Sequence, residues 1–252
     1  RVLTSLNTHV DYLSSALSEE HQSLGIREPH YVHPRMRSRM LRETTMADVI
    51  RVPSSFAKET FANAGVPAEK IAVVPIGIDL SHFSRSPKCD DVFRILAVSS
   101  FDARKGIIYL LEAYKDLNIS HSELMLIGAS GSRWARKILT DYAKRFVSLR
   151  LAQIDVTTEP VTKSYGLASV LVHPAIEDGF GLVIPQALAC GIPVIATRTS
   201  GASELIVHGK TGFVVDPRRP DMIREYLQVL ASDRHLREQM GVRACESMQK
   251  QG

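Results

Sequence analysis

The stretch "SVLVHPAIEDGFGLVIPQALACGIPVIAT", residues 169–197, decides the fold class. It opens on an apolar run, 169–174, that predicts a strand. A loop with two acids and two glycines follows, and 182–190 predicts a helix with Pro185 in its first turn, where proline is tolerated. Residues 192–197 predict a second strand. Apolar strands that alternate with helices favour an α/β fold with a parallel sheet covered on both faces.

The same alternation extends along most of the chain. We predict further strands at 48–53, 70–79, 93–100, 123–128, 147–152 and 211–216. We predict helices at 8–24, 34–47, 54–65, 106–117, 134–146, 162–168, 219–232 and 234–250. The polar segment 80–91 is the linker candidate. This pattern predicts two units, residues 1–84 and residues 85–252.

Composition excludes several classes of protein. The 252 residues are 44% hydrophobic and 23% charged, which is ordinary for a globular chain, and a net charge of +4 is too weak to indicate nucleic-acid binding. Three scattered cysteines indicate neither a disulfide framework nor a zinc site. No apolar run reaches membrane-span length and no signal peptide is visible. We therefore expect a cytoplasmic location, and the start at Arg1 without a methionine suggests a fragment.

The acid and glycine loop of 176–181 has the position of a ligand site. In parallel sheets ligands bind at the carboxyl ends of strands, and the following helix offers free amides and a positive dipole end to phosphate. Gly179 and Gly181 would let backbone approach a ligand closely. Glu177 and Asp178 suit hydroxyl groups of a sugar or ribose better than phosphate. A structural turn with solvated acids is the alternative interpretation.

A second candidate loop joins the predicted strand at 93–100 to the helix at 106–117. Arg104 and Lys105 lie beside this helix start, where the macrodipole disfavours cations unless a polyanion lies between them and the helix. Lys105, directly before Gly106, is the better phosphate ligand, and Arg104 is more simply explained as a solvated charge. His173 either faces a ligand or has a structural hydrogen bond. Glu204 either binds a ligand hydroxyl or stabilises a helix N-terminus through the helix dipole.

A basic segment lies in the predicted helix at 34–47. It interleaves arginines with apolar residues: Arg35, Met36, Arg37, Arg39, Met40, Leu41 and Arg42. Such a surface suits anionic lipid at the inner face of a membrane or an anionic acceptor. A solvated helix face is the alternative interpretation.

Taken together, the spaced motifs resemble the retaining GT-B glycosyltransferases of family 4. The segment "HPAIEDGFGLVIPQALACGIPVIAT" is similar to that family's acid-GFGL motif, 47–83 to its interdomain crossing, and "FRILAVSSFDARKGIIYLLEAY" to the start of its nucleotide-binding domain. The resemblance covers most of residues 47–250. It implies two Rossmann-like domains with parallel sheets, the N-terminal one incomplete, and a nucleotide-diphosphate sugar such as a UDP- or GDP-sugar as donor.

The resemblance also implies roles for single residues. Lys105 would contact the diphosphate, and Asp178 would lie near the donor sugar, with Glu177 as its alternative if the loop is shifted by one residue. The amides of the Gly179–Leu182 turn, chiefly those of Phe180, Gly181 and Leu182, would meet phosphate or sugar. Gln186 would lie at the ribose hydroxyls.

This chain departs from the family pattern at two positions. Asp178 and Gln186 stand where the family has two glutamates, although glutamine can still donate to and accept from a ribose diol. Ser100 stands where the family often has a phosphate-binding arginine, and Arg104 is the candidate to compensate.

These residues predict a glycosyltransferase that moves a sugar from a nucleotide-diphosphate sugar to a glycan, lipid or small-molecule acceptor. No metal ion or other cofactor is expected, because no DxD-like motif is present. A catalytically degenerate sugar-nucleotide-binding module and a GT-B-like nucleotide-sugar epimerase are the alternatives. A dehydrogenase is disfavoured because no GxGxxG follows a predicted strand.

Overall fold

The computed structural model describes residues 1–27, 32–129, 131–146, 149–152 and 161–250. Its strands are β1 Val2–Thr4, β2 Val49–Val52, β3 Ile71–Val73, β4 Phe93–Val98, β5 Ser122–Ile127, β6 Leu149–Ala152, β7 Val170–His173, β8 Val194–Thr197 and β9 Gly212–Val215. Its α-helices are α1 Val10–Ser23, α2 Pro34–Met46, α3 Ser55–Asn63, α4 Ile107–Lys115, α5 Arg133–Arg145, α6 Thr162–Leu167, α7 Val183–Ala189, α8 Pro220–Ser232 and α9 Arg234–Gln249.

The strands form two sheets. The larger has the order β6-β5-β4-β7-β8-β9, and every neighbouring pair in it is parallel. The smaller has the order β1-β2-β3 and is also parallel. We call them the C-terminal sheet and the N-terminal sheet. In the C-terminal sheet the order reverses between β4 and β7, and such a switch point opens a crevice at the carboxyl ends of the strands.

Two apolar clusters cover the two faces of the C-terminal sheet. One packs α4, α5 and α8 against alternate residues of β4 and β5, such as Ile95 and Leu124. The other packs α6, α7 and α9 against the intervening residues, such as Leu96 and Ile127. Because successive strand side chains point to opposite faces, strands buried on both faces are continuously apolar, as the sequence indicates.

The predicted elements are present, with ends that differ by a few residues. Three differences stand out: β1 was not predicted, the predicted strand at 70–79 pairs only over Ile71–Val73, and residues 147–148 of the predicted strand at 147–152 lie outside the described residues. β1 is missed because three residues carry too little periodicity to predict a strand. Beyond Val73 the apolar chain instead packs on the second apolar cluster through Ile76 and Ile78.

Candidate active site

Two loops meet at the carboxyl ends of β4 and β7. The first contains the 3-10 turn Ala103–Lys105, which Asp102 caps by accepting a hydrogen bond from the Lys105 amide at 3.0 Å. The second is the loop of 174–181, after β7. Gly106 brings them together: its φ is +62°, and a Cβ there would lie 2.0 Å from the Pro174 carbonyl oxygen. Only glycine fits this approach, so the loop contact depends on it.

Lys105, Asp178 and His173 form one cluster where these loops meet. The Lys105 Nζ donates to Asp178 Oδ2 at 2.5 Å, and the His173 Nε2 lies 3.0 Å from the same oxygen. Burial alone would raise the pKa of Asp178, but the hydrogen bond with His173 and the charge of Lys105 outweigh it, so the pKa lies below its usual range. Asp178 is therefore an ionised carboxylate at neutral pH.

The neighbouring acid, Glu177, has a different environment. It is fully buried, accepts from Thr8 Oγ1 at 2.7 Å and from Arg104 Nε at 2.6 Å, and Arg104 also donates to Asn7 Oδ1 at 2.8 Å. The interpretation in which Glu177 meets the sugar does not fit this arrangement. Nor does the interpretation in which Arg104 compensates for Ser100 as a phosphate ligand, because its guanidinium is engaged by Glu177 and Asn7.

The two glycines of the loop also differ. A Cβ on Gly179 would lie 2.5 Å from the Leu6 carbonyl oxygen and 2.6 Å from Asn7 Cα, so protein backbone fills the space that the sequence suggested for a ligand. The Gly179 carbonyl accepts from Ser54 Oγ at 2.7 Å. Gly181 has a φ of +86° and lies over His173 and Asp178.

The turn into α7 carries the predicted phosphate-binding amides. The Phe180 side chain is buried, and its amide points at Asp178 Oδ1, 3.4 Å away. Within the described part of the chain, no group accepts a hydrogen bond from the Gly181 or Leu182 amide. These two amides therefore keep the capacity to bind an anion.

Gln186 and Ser100 complete the predicted set. The Tyr165 hydroxyl donates to Gln186 Oε1 at 2.9 Å, which directs the amide nitrogen of Gln186 away from Tyr165. Ser100 is exposed at the end of the β4 loop, with its hydroxyl 3.5 Å from Asp102 Oδ2. Ser100 follows β4 in the same loop as Lys105, and Gln186 lies in α7, the helix that follows the second loop.

Sequence reasoning missed the residues that the N-terminal unit contributes. Thr8 and Ser54 contact the second loop and Asn7 contacts Arg104 of the first, all over separations of more than 90 residues. Their polar side chains resemble ordinary helix-capping and turn residues, so no local signal marks them. Tyr165 was also missed, because an aromatic residue in a short helix predicts core packing.

The described residues hold neither a metal-binding cluster nor a membrane-spanning helix. They contain no group of three or more His, Cys, Asp or Glu side chains placed to hold a metal ion. They also contain no helix long and apolar enough to cross a membrane.

The family model for glycosyl transferases group 1 matches residues 80–246, which is most of the chain. The chain belongs to this family. It is 30% identical over 222 residues to a D-inositol 3-phosphate glycosyltransferase of Pseudarthrobacter chlorophenolicus, covering 82% of this chain and 52% of that protein. It is 27% identical over 231 residues to a GDP-mannose-dependent alpha-(1-6)-phosphatidylinositol monomannoside mannosyltransferase of Mycolicibacterium smegmatis. This match covers 83% of this chain and 59% of that protein. The chain thus spans little more than half the length of these relatives.

A solved structure extends the comparison to the fold. Anabaena HepE, in complex with UDP and glucose, superposes with a TM-score of 0.78 at 18% identity, covering 99% of this chain and 66% of that one. At this identity the likeness shows the fold alone. It confirms the predicted α/β fold of GT-B type with parallel sheets.

Proposed function

We propose that this chain is the donor-binding part of a retaining glycosyltransferase that uses a nucleotide-diphosphate sugar. The observation that carries the proposal is the Lys105–Asp178 pair beside the open amides of Gly181 and Leu182. A cation, an ionised carboxylate and two amides without an acceptor among the described residues therefore lie together at the carboxyl ends of β4 and β7. We further propose that residues 1–84 belong to the acceptor-side domain and residues 85–252 form the nucleotide-sugar domain.

Each group has a role that suits its chemistry. Lys105 and the two amides would stabilise the charge that develops on the diphosphate as it leaves, without a metal ion or other cofactor. Asp178, held in place by His173, would accept a hydrogen bond from a hydroxyl group of the donor sugar. Gln186 would donate its amide to the ribose, because Tyr165 already occupies its carbonyl oxygen.

The proposal also extends to the nucleobase of the donor and to the class of acceptor. HepE was solved with UDP and the mycolicibacterial relative depends on GDP-mannose, so both UDP- and GDP-sugars are candidates. That relative acts on a phosphatidylinositol mannoside, which supports an acceptor of the cell envelope and a peripheral contact with the inner face of a membrane. On α2, Met36 and Met46 are exposed beside the arginines, which suits such a contact.

Calorimetric titration of the 252-residue chain with UDP-glucose, GDP-mannose and ADP-glucose tests donor binding. We expect one of them to bind, and Lys105→Ala to weaken that binding about 10- to 100-fold, because a charge-assisted contact to phosphate is lost. The matched control is Lys115→Ala, since Lys115 is exposed on α4 and pairs only with Glu112 among the described carboxylates. Failure of all three donors to bind, or equal effects of both variants, would contradict the proposal.

A second measurement separates the enzymatic alternatives. Release of free nucleotide that depends on an added acceptor indicates transfer, and release without acceptor indicates hydrolysis or an epimerase. Binding without any release by the full-length protein would identify a degenerate binding module.

A further inference from the structure

A large cavity lies at the opposite end of the C-terminal sheet from the candidate active site. It has a volume of about 690 Å³ and is bounded by the segment 85–92, the end of α6, the turn after α7 and the start of α9. β4, β7 and β8 all begin beside it, so it faces the amino ends of the strands. We call it the rear pocket. Its volume is within the range of small-molecule sites.

The rear pocket is lined by four basic and three acidic side chains: Arg85, Lys88, Arg234, Arg237, Asp90, Asp91 and Glu238. Each of the three acids is in an ion pair. Lys88 pairs with Asp90, and Arg234 pairs with Asp91 at 2.9 Å and with Glu238 at 2.7 Å. Asp90 is shared further with Arg94, 3.1 Å away. The acidic side chains therefore do not neutralise every cation of the lining.

Two guanidinium groups remain without a carboxylate. Among the described residues, no carboxylate lies within ion-pair distance of Arg85 or Arg237. Arg237 is half-buried, donates to the Leu230 carbonyl, and has its guanidinium 5.4 Å from the centre of the Phe93 ring. The carboxylates of Glu238 and Asp233 act on Arg237 only from beyond ion-pair distance, so an anion in direct contact would complete the environment of this half-buried cation.

The position of Arg85 depends on a glycine. A Cβ on Gly191 would lie 2.8 Å from Arg85 Cδ and 2.9 Å from Cγ, so the missing side chain leaves room for the Arg85 stem at the turn after α7. Gly191 has a φ of +70°, which also favours glycine. The stem of Arg85 is thereby held at the wall of the rear pocket.

The titration of nearby cations indicates the same positive potential. Burial, then the charges of Arg94, Arg237 and Arg234, lowers the pKa of Lys88 to about 8. Burial and then the charge of Arg234 lower the pKa of Arg237, and they outweigh the opposing charges of Glu238 and Asp233. A bound anion would relieve this repulsion.

We propose that the rear pocket is a second ligand site, which binds a small phosphate-bearing molecule through Arg85 and Arg237. Two guanidinium groups suit this ligand class, because their planar N–H groups match phosphate oxygens bidentately. The volume accommodates a molecule of sugar-phosphate to nucleotide size. Lys88 supplies a third cation on the same wall.

This site is separate from the candidate active site. Ser169 lines the rear pocket and His173 contacts Asp178, so β7 separates them by about 13 Å at the usual rise of a strand. Tyr165, which lines the rear pocket and donates to Gln186 at 2.9 Å, lies between the two sites. Both sites attract phosphate, so an experiment must disable one to observe the other.

Inorganic pyrophosphate is the probe, titrated by calorimetry into the Lys105→Ala chain, in which the candidate donor site is weakened. We expect binding at one site, a loss of affinity of about tenfold with an added Arg85→Gln, and no detectable binding when Arg237→Gln is also added. Arg243→Gln, which is also on α9 but outside the pocket, is the control and leaves the affinity unchanged.

A second variant covers the case in which Arg237→Gln fails to fold, as followed by circular dichroism. Asp91 lines the pocket and its side chain is 91% exposed, so Asp91→Asn removes a negative charge at little structural cost, and it should tighten pyrophosphate binding two- to threefold. Absence of binding in the Lys105→Ala chain, or binding that neither Arg85→Gln nor Asp91→Asn alters, overturns the proposal.

Discussion

Two adjacent ion pairs join the same two loops, yet their surroundings differ. Arg104 pairs with Glu177, these side chains are 11% and 0% exposed, and both contact residues 7–8 of the N-terminal unit. Lys105 pairs with Asp178, and these side chains are 13% and 14% exposed. We infer that the first pair holds the two sheets together and that the second is available to a ligand. Residues that follow one another in sequence thus serve different purposes.

Removal of the buried carboxylate should have the largest effect. Glu177→Ala leaves the guanidinium of Arg104 buried without its counter-ion, and we expect a loss of about 3–5 kcal/mol in the free energy of unfolding. Urea denaturation measures it. Glu238→Ala, which breaks an exposed pair with Arg234, is the control and should cost no more than about 1 kcal/mol. Equal losses would show that the Arg104–Glu177 contact does not hold the sheets together.

The close backbone approach at Gly179 tests the same contact without removing a charge. In Gly179→Ala the new methyl group would collide with the backbone of Leu6 and Asn7, and we expect a loss of about 1–3 kcal/mol. Gly77→Ala is the control, because a Cβ there meets no atom within 4 Å. A Gly179→Ala protein as stable as the control would mean that residues 6–7 do not pack on this loop.

The fall in stability at acid pH tests whether Asp178 is ionised in the folded protein. Its pKa is lowered in the folded state, so its ionisation stabilises the fold above the unfolded pKa of about 3.9, and this contribution is lost as the pH falls below that value. We expect Asp178→Asn to cost about 1.5 kcal/mol at pH 7 and progressively less towards pH 3. Thermal unfolding of both proteins between pH 7 and pH 3 measures it. Parallel curves would contradict the ionised cluster.

The smallest expected effect concerns Gln186. Tyr165→Phe removes the hydroxyl that holds its carbonyl oxygen, and we expect a loss of about 1 kcal/mol in stability and a few-fold weaker binding of the nucleotide donor. Tyr226→Phe is the control, since that ring stacks on Phe213 away from the loops. Unchanged donor affinity alongside the stability loss would restrict Tyr165 to a structural role.

Much of the fold could be predicted from the sequence because its signals are local. The apolar strands, the helix periodicity and the glycine-rich turn before α7 each occupy fewer than about 20 consecutive residues. The pairing of Lys105 with Asp178 follows from topology, since the carboxyl ends of neighbouring parallel strands meet at one edge. The sequence left the choice between Glu177 and Asp178 open.

The amino-acid sequence by itself determined the α/β class, the succession of strands and helices along the chain, and the loops that carry the candidate active site. Only the tertiary structure decided that Glu177 and Arg104 face the N-terminal unit and that backbone covers Gly179. It also decided that Arg85 and Arg237, which pair with no carboxylate among the described residues, line a rear pocket. The physical reason is that these outcomes depend on contacts such as Thr8 with Glu177, 169 residues apart. Burial and charge pairing of that kind arise only once the chain has folded, and no local pattern records them.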